Sequence, residues 1–173
     1  MCGIVGFITN ETAIGASERR RWFLNAIRAG VVRGDDGTGM FLVAHDQKGS
    51  ADWCKMGSPP EAFLATEQAR ARTDLSNDWK QYRAVIGHNR SATIGSVSTA
   101  NSHPFQEGPI TLVHNGTLNT VHNLPTPKHK LKGADVDSHM ITHNLATHSV
   151  QEVVRQLDGA FVLVWHDARD QSV

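Results

Sequence analysis

The second residue of the chain is Cys2, in the stretch Met1-Cys-Gly-Ile-Val-Gly-Phe7. If Met1 is removed, Cys2 carries a thiol and a free α-amine on one residue. A thiol is the most nucleophilic side chain available, and an α-amine with a pKa of about 8 can take its proton directly or through a water. One residue then supplies nucleophile and base. The competing reading is a small buried hydrophobe, the common state of a free cysteine. Further candidates sit in polar islands: Arg33-Gly-Asp-Asp-Gly-Thr-Gly39, Gly87-His-Asn-Arg-Ser-Ala-Thr-Ile-Gly95, Asn101-Ser-His-Pro-Phe105, His114-Asn-Gly-Thr-Leu-Asn119 and Asp135-Val-Asp-Ser-His139. Each island by itself reads as a turn or a strand connection.

These side chains need elements to carry them. Residues 2–8 read as a short buried strand whose glycines, Gly3 and Gly6, mark close approach by a ligand or another backbone. From Ser17 to Ala29, Trp22, Phe23, Ala26 and Ile27 recur at helical spacing, an amphipathic helix ended by Gly30 and Gly34. Residues 40–44 form a strand, with 51–56 as hairpin partner across the turn 46–50. Ser58-Pro-Pro-Glu61 predicts a capping box opening a helix that runs to about Arg72. A strand over 83–87 leads into a polar loop, Ser91 to Asn101, of a length more often functional than idle. Residues 110–114 are a strand broken at the turn dipeptide Asn115-Gly116. A helix from about Val136 sets Met140, Ile141 and Leu145 on one face. Ser149 to Glu152 is a second capping box, opening a short helix that stops at Gly159. The almost wholly apolar 160–166 predicts an inner strand covered on both sides. Residues 123–132 read as a mobile surface loop. Strands outnumber helices and hairpin links outnumber crossovers, which predicts mixed α and β with largely antiparallel sheets.

Composition narrows the function classes. The chain has 173 residues, 39% hydrophobic and 20% charged, with zero formal net charge, as one globular domain over 1–173 would. Scattered Lys and Arg give no basic footprint, so nucleic acid is not an expected partner. The longest apolar run, Ala160 to Trp165, is far short of the roughly 20 residues of a membrane span. There is no secretory signal, and two cysteines, Cys2 and Cys54, are too few for a disulfide scaffold and suit a reducing cytoplasm. No cofactor and no metal are expected. His139 and His143 stand at i, i+4 but lack the Glu of the metalloprotease motif and a clear third ligand, and Cys54 reads as a strand residue.

Taken together and in this order, the islands closely resemble the class II glutamine amidotransferase domain, an N-terminal nucleophile (Ntn) hydrolase family. The matching residues are Cys-Gly-Ile-Val-Gly at 2–6, Arg-Gly-x-Asp-x-x-Gly at 33–39 and Gly-His-x-Arg-x-Ala-Thr-x-Gly at 87–95. Asn-x-His-Pro-Phe at 101–105, His-Asn-Gly at 114–116 and Asp137-Ser138 complete the set, and Leu157-Asp-Gly-Ala-Phe161 resembles a later part of the domain. The resemblance implies an α+β fold, a four-layer αββα sandwich of two antiparallel sheets flanked by helices. It implies hydrolysis of L-glutamine to glutamate and ammonia through a γ-glutamyl thioester on Cys2. Asn115 and the Gly116 N–H would hold the oxyanion, and Arg90, Thr93 and Asp137 would bind glutamine. Arg90 offers a planar fork for an α-carboxylate and Asp137 an acceptor for an α-ammonium, so a free amino acid is read at both charged ends. Arg33 and His103 match positions that shape the site, and 91–101 corresponds to the segment closing over glutamine.

The chain also departs from that pattern. His139 stands where the family has glutamate, and Ser91 and Ile94 replace the Trp and His of the glucosamine-phosphate synthases. The chain ends where the family continues, as a C-terminally truncated or a minimal version of the domain would. No ammonia-using domain fits alongside, so the expected partner is a separate or missing synthetase or transferase. Two alternatives stay open: an Ntn amidohydrolase for another amide, and a non-catalytic regulatory module on the same scaffold.

Overall fold

Strand β2, Gly37–Ala44, is buried almost throughout, and its packing partners alternate with the period of two that decides the architecture. Met40 and Leu42 pack with Phe23, Ile27 and Phe63, whereas Phe41 and Val43 pack with Ala84, Ile86 and Val113. A strand buried on both faces needs a layer on each side. The computed structural model describes residues 2–9, 14–46, 48–120, 123–127 and 136–173. Its first sheet has the order β1-β4-β2-β3, with β1 Gly3–Ile8, β3 Asp52–Met56 and β4 Tyr82–Arg90, every neighbour antiparallel. The second has the order β5-β6-β7, with β5 Phe105–Glu107, β6 Ile110–Thr120 and β7 Asp158–Asp167, again antiparallel.

Helices α1 (Ala16–Ala29), α2 (Pro60–Leu64) and α3 (Glu67–Thr73) cover the outer face of the first sheet through Phe23, Leu24, Ile27, Phe63 and Ala69. Helices α4 (Asp137–Thr147) and α5 (Val150–Gln156) cover the second through Met140, Ile141, Leu145 and Val153. The layers run helix, sheet, sheet, helix: the αββα sandwich. Each fully buried large apolar side chain, Phe23 and Phe41 among them, contributes roughly 1.5–3 kcal/mol of burial free energy.

Several local expectations need correction. The helix predicted over 58–72 is two helices: Thr66 ends one and caps the next, its hydroxyl accepting from Ala69 N at 3.2 Å. Ser58 is not a cap; its carbonyl instead accepts from the Thr38 hydroxyl at 2.9 Å. Asn115-Gly116 does not break its strand, because β7 pairs across it, Asn115 with Val162 and Gly116 with Phe161. Strand β7 itself is a sheet edge with Val162 56% exposed, not an inner strand: its apolar run packs Phe161, Leu163 and Trp165 on the helix side, while on the other face Val164 reaches the seam between the sheets. Strand β5 was not foreseen, being three residues long. Of the predicted mobile loop, 128–132 lie outside the described residues, as does Met1.

Candidate active site

The register of the first sheet brings the two ends of the problem together. Gly3 pairs with Asn89 across β1 and β4, and Gly37 pairs with Arg90 across β2 and β4, so Cys2 and Arg90 lie at one end of the sheet. There the Cys2 sulfur meets the start of the 91–101 loop: Ser91 N–H points at Sγ from 3.3 Å, and Ser91 O lies 3.4 Å from it. Strand β6 arrives from the other sheet, and Asn115 Nδ2 donates to Cys2 O at 2.8 Å across 113 positions of sequence.

Around Cys2 lies a small cleft lined by Arg90, Thr93, His103, Gly116 and Asp137, with Asn101, His114 and Ser138. A larger groove, about 910 Å³, opens at the far end of β1 between Phe7, Ile8 and Trp22, but holds none of the predicted chemistry. The cleft at Cys2 is the one that gathers a thiol, a guanidinium and a carboxylate. Asp137 opens α4, where its carboxylate accepts from Ser138 N at 2.9 Å and from Leu118 N at 3.3 Å. Partial positive charge at a helix N-terminus suits a carboxylate. Gly116 has a φ of 148°, and a Cβ there would collide with Ala160 O, so only glycine fits where β6 passes the cleft.

Arg90 is 4% exposed, and its fork is engaged: Nη2 donates to Ile94 O at 2.7 Å and Nη1 to Ser96 O at 3.0 Å. The guanidinium that sequence reasoning assigned to a ligand carboxylate thus grips two carbonyls of the loop above it. Thr93 sits exposed on the lip of the cleft. Arg33 does not line the cleft; its stem packs behind Cys2 against Gly3, where an added Cβ would come within 3.0 Å of Arg33 Cβ.

Three histidines cluster beneath, His103 tilted over His88 and edge-on to His114. The ring centroids of His88 and His103 are 3.9 Å apart and those of His103 and His114 6.5 Å. His88 Nε2 donates to His114 O at 3.0 Å, which fixes its tautomer, and burial pushes its pKa down to about 3. Burial also pushes His103 well below the ordinary value, helped by the nearby His88 and His114. His114 is lowered by burial against an opposing pull from Asp137, and its Nδ1 lies 3.0 Å from Ser138 Oγ. Burial thus favours the neutral form of all three rings.

Some participants escaped sequence reasoning. Asp36, inside the Arg33–Gly39 island, accepts from Ala92 N at 2.7 Å and anchors the loop's first residues. Its place in that island was the available signal. Lys55 holds the other end of the loop and left no signal, since its partners are backbone carbonyls. Cys54, buried on β3 with its thiol pushed up to about 12, is a core residue. His143 Nδ1 lies 2.6 Å from Glu107 Oε1, and His139 stacks on Phe105. Among the described residues, no group of three or more His, Cys, Asp or Glu is arranged to hold a metal ion, and no helix is long and apolar enough to cross a membrane.

No family model matches the chain. Curated proteins do. A glutamine–fructose-6-phosphate aminotransferase (isomerizing) of Zymomonas mobilis is 30% identical over 94% of this chain and 26% of its own length. The enzyme of the same name from Vibrio vulnificus is 29% identical over 99% of the chain and 28% of its own, and that of Mycobacterium leprae 28% over 97% and 28%. The chain thus spans about a quarter of the length of these relatives. Among solved structures, an allosteric regulatory enzyme of purine biosynthesis aligns with a TM-score of 0.67 at 18% identity, over 95% of this chain and 35% of that one. A glutamine phosphoribosylpyrophosphate amidotransferase from B. subtilis gives 0.63 at 15%, over 97% and 35%. The four-layer fold is common to all three.

Proposed function

We propose, on the premise that this chain is a class II glutamine amidotransferase domain, that it hydrolyses L-glutamine to glutamate and ammonia through a thioester on Cys2. The observation that carries this reading is the convergence on one cleft of Cys2, Gly116, Arg90 and Asp137, with Asn115 bonded to Cys2 itself. These groups are widely separated in sequence and have complementary chemistry.

In the proposed cycle the Cys2 α-amine takes the thiol proton, and the sulfur attacks the side-chain carbonyl of glutamine. The carbonyl oxygen becomes an oxyanion facing the Asn115 amide and the Gly116 N–H; losing one such donor typically costs roughly 3–4 kcal/mol of transition-state stabilisation. Collapse breaks the C–N bond, and ammonia leaves with the proton from the α-ammonium. Water then cleaves the thioester, releasing glutamate and the thiol. Arg90 takes the α-carboxylate by exchanging its loop carbonyls for it, Asp137 takes the α-ammonium, and Thr93 closes the lip. Arg33 and His103 shape the walls without moving protons. The ammonia would pass to a synthetase or transferase domain or subunit, in the cytoplasm, and residues 1–173 would act as one domain.

Intact mass before and after a diazoketone glutamine analogue tests this. The expected result is a chain without Met1 and with one adduct, lost in Cys2→Ala, and ammonia released from glutamine but not from its N-acetylated form. A processed, folded chain that neither labels nor releases ammonia would sink the glutaminase reading. Release from capped amides would favour another amidohydrolase.

A further inference from the structure

Lys55, on β3, carries its side chain to the strip of chain that forms one wall of the cleft. Its ammonium donates to Ser102 O at 2.7 Å and to Ala100 O at 3.2 Å, and lies 4.4 Å from the centroid of the Phe105 ring. These three contacts bracket His103, which lines the cleft and lies tilted over His88. The strip between them is tightly organised: Ser102 is fully buried, its hydroxyl donating to Ser98 O at 2.8 Å, and Asn101 Nδ2 donates to Ser96 O at 3.2 Å. Ser96 O is also one of the two carbonyls held by Arg90. Two cations on different strands therefore hold one loop by its carbonyls, Arg90 at 94–96 and Lys55 at 100–102.

We propose that Lys55 is a positioning residue of the cleft: it fixes the 100–105 segment, and so Asn101 and His103, while Arg90 lets its part of the loop go to bind a ligand carboxylate. A loop that must release one end on ligand entry keeps its course only if the other end stays anchored. Lys55 suits the fixed end because, unlike Arg90, it does not line the cleft a ligand enters, so its contacts with the Ala100 and Ser102 carbonyls and the Phe105 ring lie outside the ligand's reach. Burial pushes the Lys55 pKa down to about 8, so keeping the ammonium here costs the folded state stability below that pH.

The kinetic part of this inference rests on the glutaminase reading; the structural part does not. Lys55→Met keeps the stem and removes the donors, whereas Lys55→Arg keeps a cation and its donors. For Lys55→Met we expect a glutamine KM raised roughly tenfold with kcat within about twofold, as loss of ground-state positioning requires. We also expect a melting temperature unchanged or higher, and amide exchange at Asn101 and Ser102 at least about tenfold faster, with β4 and β6 unaffected. Lys55→Arg should restore both exchange and KM. Unchanged exchange and KM in Lys55→Met would overturn the proposal, as would a fall in stability with exchange raised throughout the chain. If Lys55→Met does not fold, Lys55→Gln is read by the same criteria. Faster exchange confined to 101–102 in a chain whose wild type does not turn over glutamine would uphold the anchor and refute the glutaminase reading.

Discussion

At the scale of single residues, the site divides into groups recognisable by type and groups recognisable only by position. Cys2, Arg90, Asn115 and Asp137 were singled out in the sequence by the motifs they stand in, and the structure brings them to one place. The role of Asp36, although it stands in the Arg33–Gly39 motif, and Lys55 altogether were not legible there, because both act on backbone atoms: Ala92 N for one, Ala100 O and Ser102 O for the other. A backbone partner has no identity that a sequence reveals. Arg90 is legible in type but not in state, since nothing in residues 87–95 announces that its fork closes on Ile94 O and Ser96 O. Arg90→Lys separates charge from geometry. A lysine cannot present two parallel donors, so the variant should raise the glutamine KM roughly tenfold or more while Cys2 keeps its reactivity toward a small alkylating agent. An unchanged KM would mean that charge alone suffices.

At the scale of elements, the errors share a cause. The expected break at Asn115-Gly116 rested on turn propensity, but pairing with β7 keeps the extended path of β6, and Gly116 is there for close approach to Ala160. An apolar run does not by itself reveal a sheet edge or how much of each face is covered: β7 is an edge strand whose Val164 packs between the sheets while Val162 stands exposed. Capping signals fared better where they were complete. Ser149 accepts from Glu152 N at 3.3 Å, while the Glu152 carboxylate accepts from Ser149 N at 3.0 Å, the reciprocal box read from sequence. Ser58 failed as a cap because a proline follows at each of the next two positions and the helix starts later, at Pro60. Ser149→Ala should cost about 1 kcal/mol in urea denaturation. Glutamine turnover should stay unchanged, because α5 lies in the outer layer.

At the scale of the whole molecule, the fold is two sheets whose seam carries both the apolar contacts of Phe41, Val43 and Val113 and, at one end, the histidine cluster. That seam makes stability depend on pH. His88, His103 and His114 all have folded pKa values below the ordinary value of 6.5, so between the two the unfolded chain binds more protons than the native one. The stability they contribute is complete above about pH 6.5 and is lost as pH falls toward the folded values, each group by up to about 1.4 kcal/mol per pH unit. The melting temperature should therefore drop between pH 7.5 and 5, with net proton uptake on unfolding at pH 5.5 measurable by calorimetry in buffers of different ionisation enthalpy. Absence of uptake would mean that the cluster is not held neutral.

The grip of Arg90 on its own loop bears on how a turnover ends. Under the proposed function, glutamate would leave with the same α-carboxylate and α-ammonium with which glutamine arrived, so recognition at those ends would not by itself tell product from substrate. Ile94 O and Ser96 O are an intramolecular rival for the guanidinium, present at a high effective concentration that no dilution removes. Under the proposed function, that rival weakens both ligands alike and speeds release of the spent one. A device that limits affinity would thereby shorten the time each spent product holds the cleft.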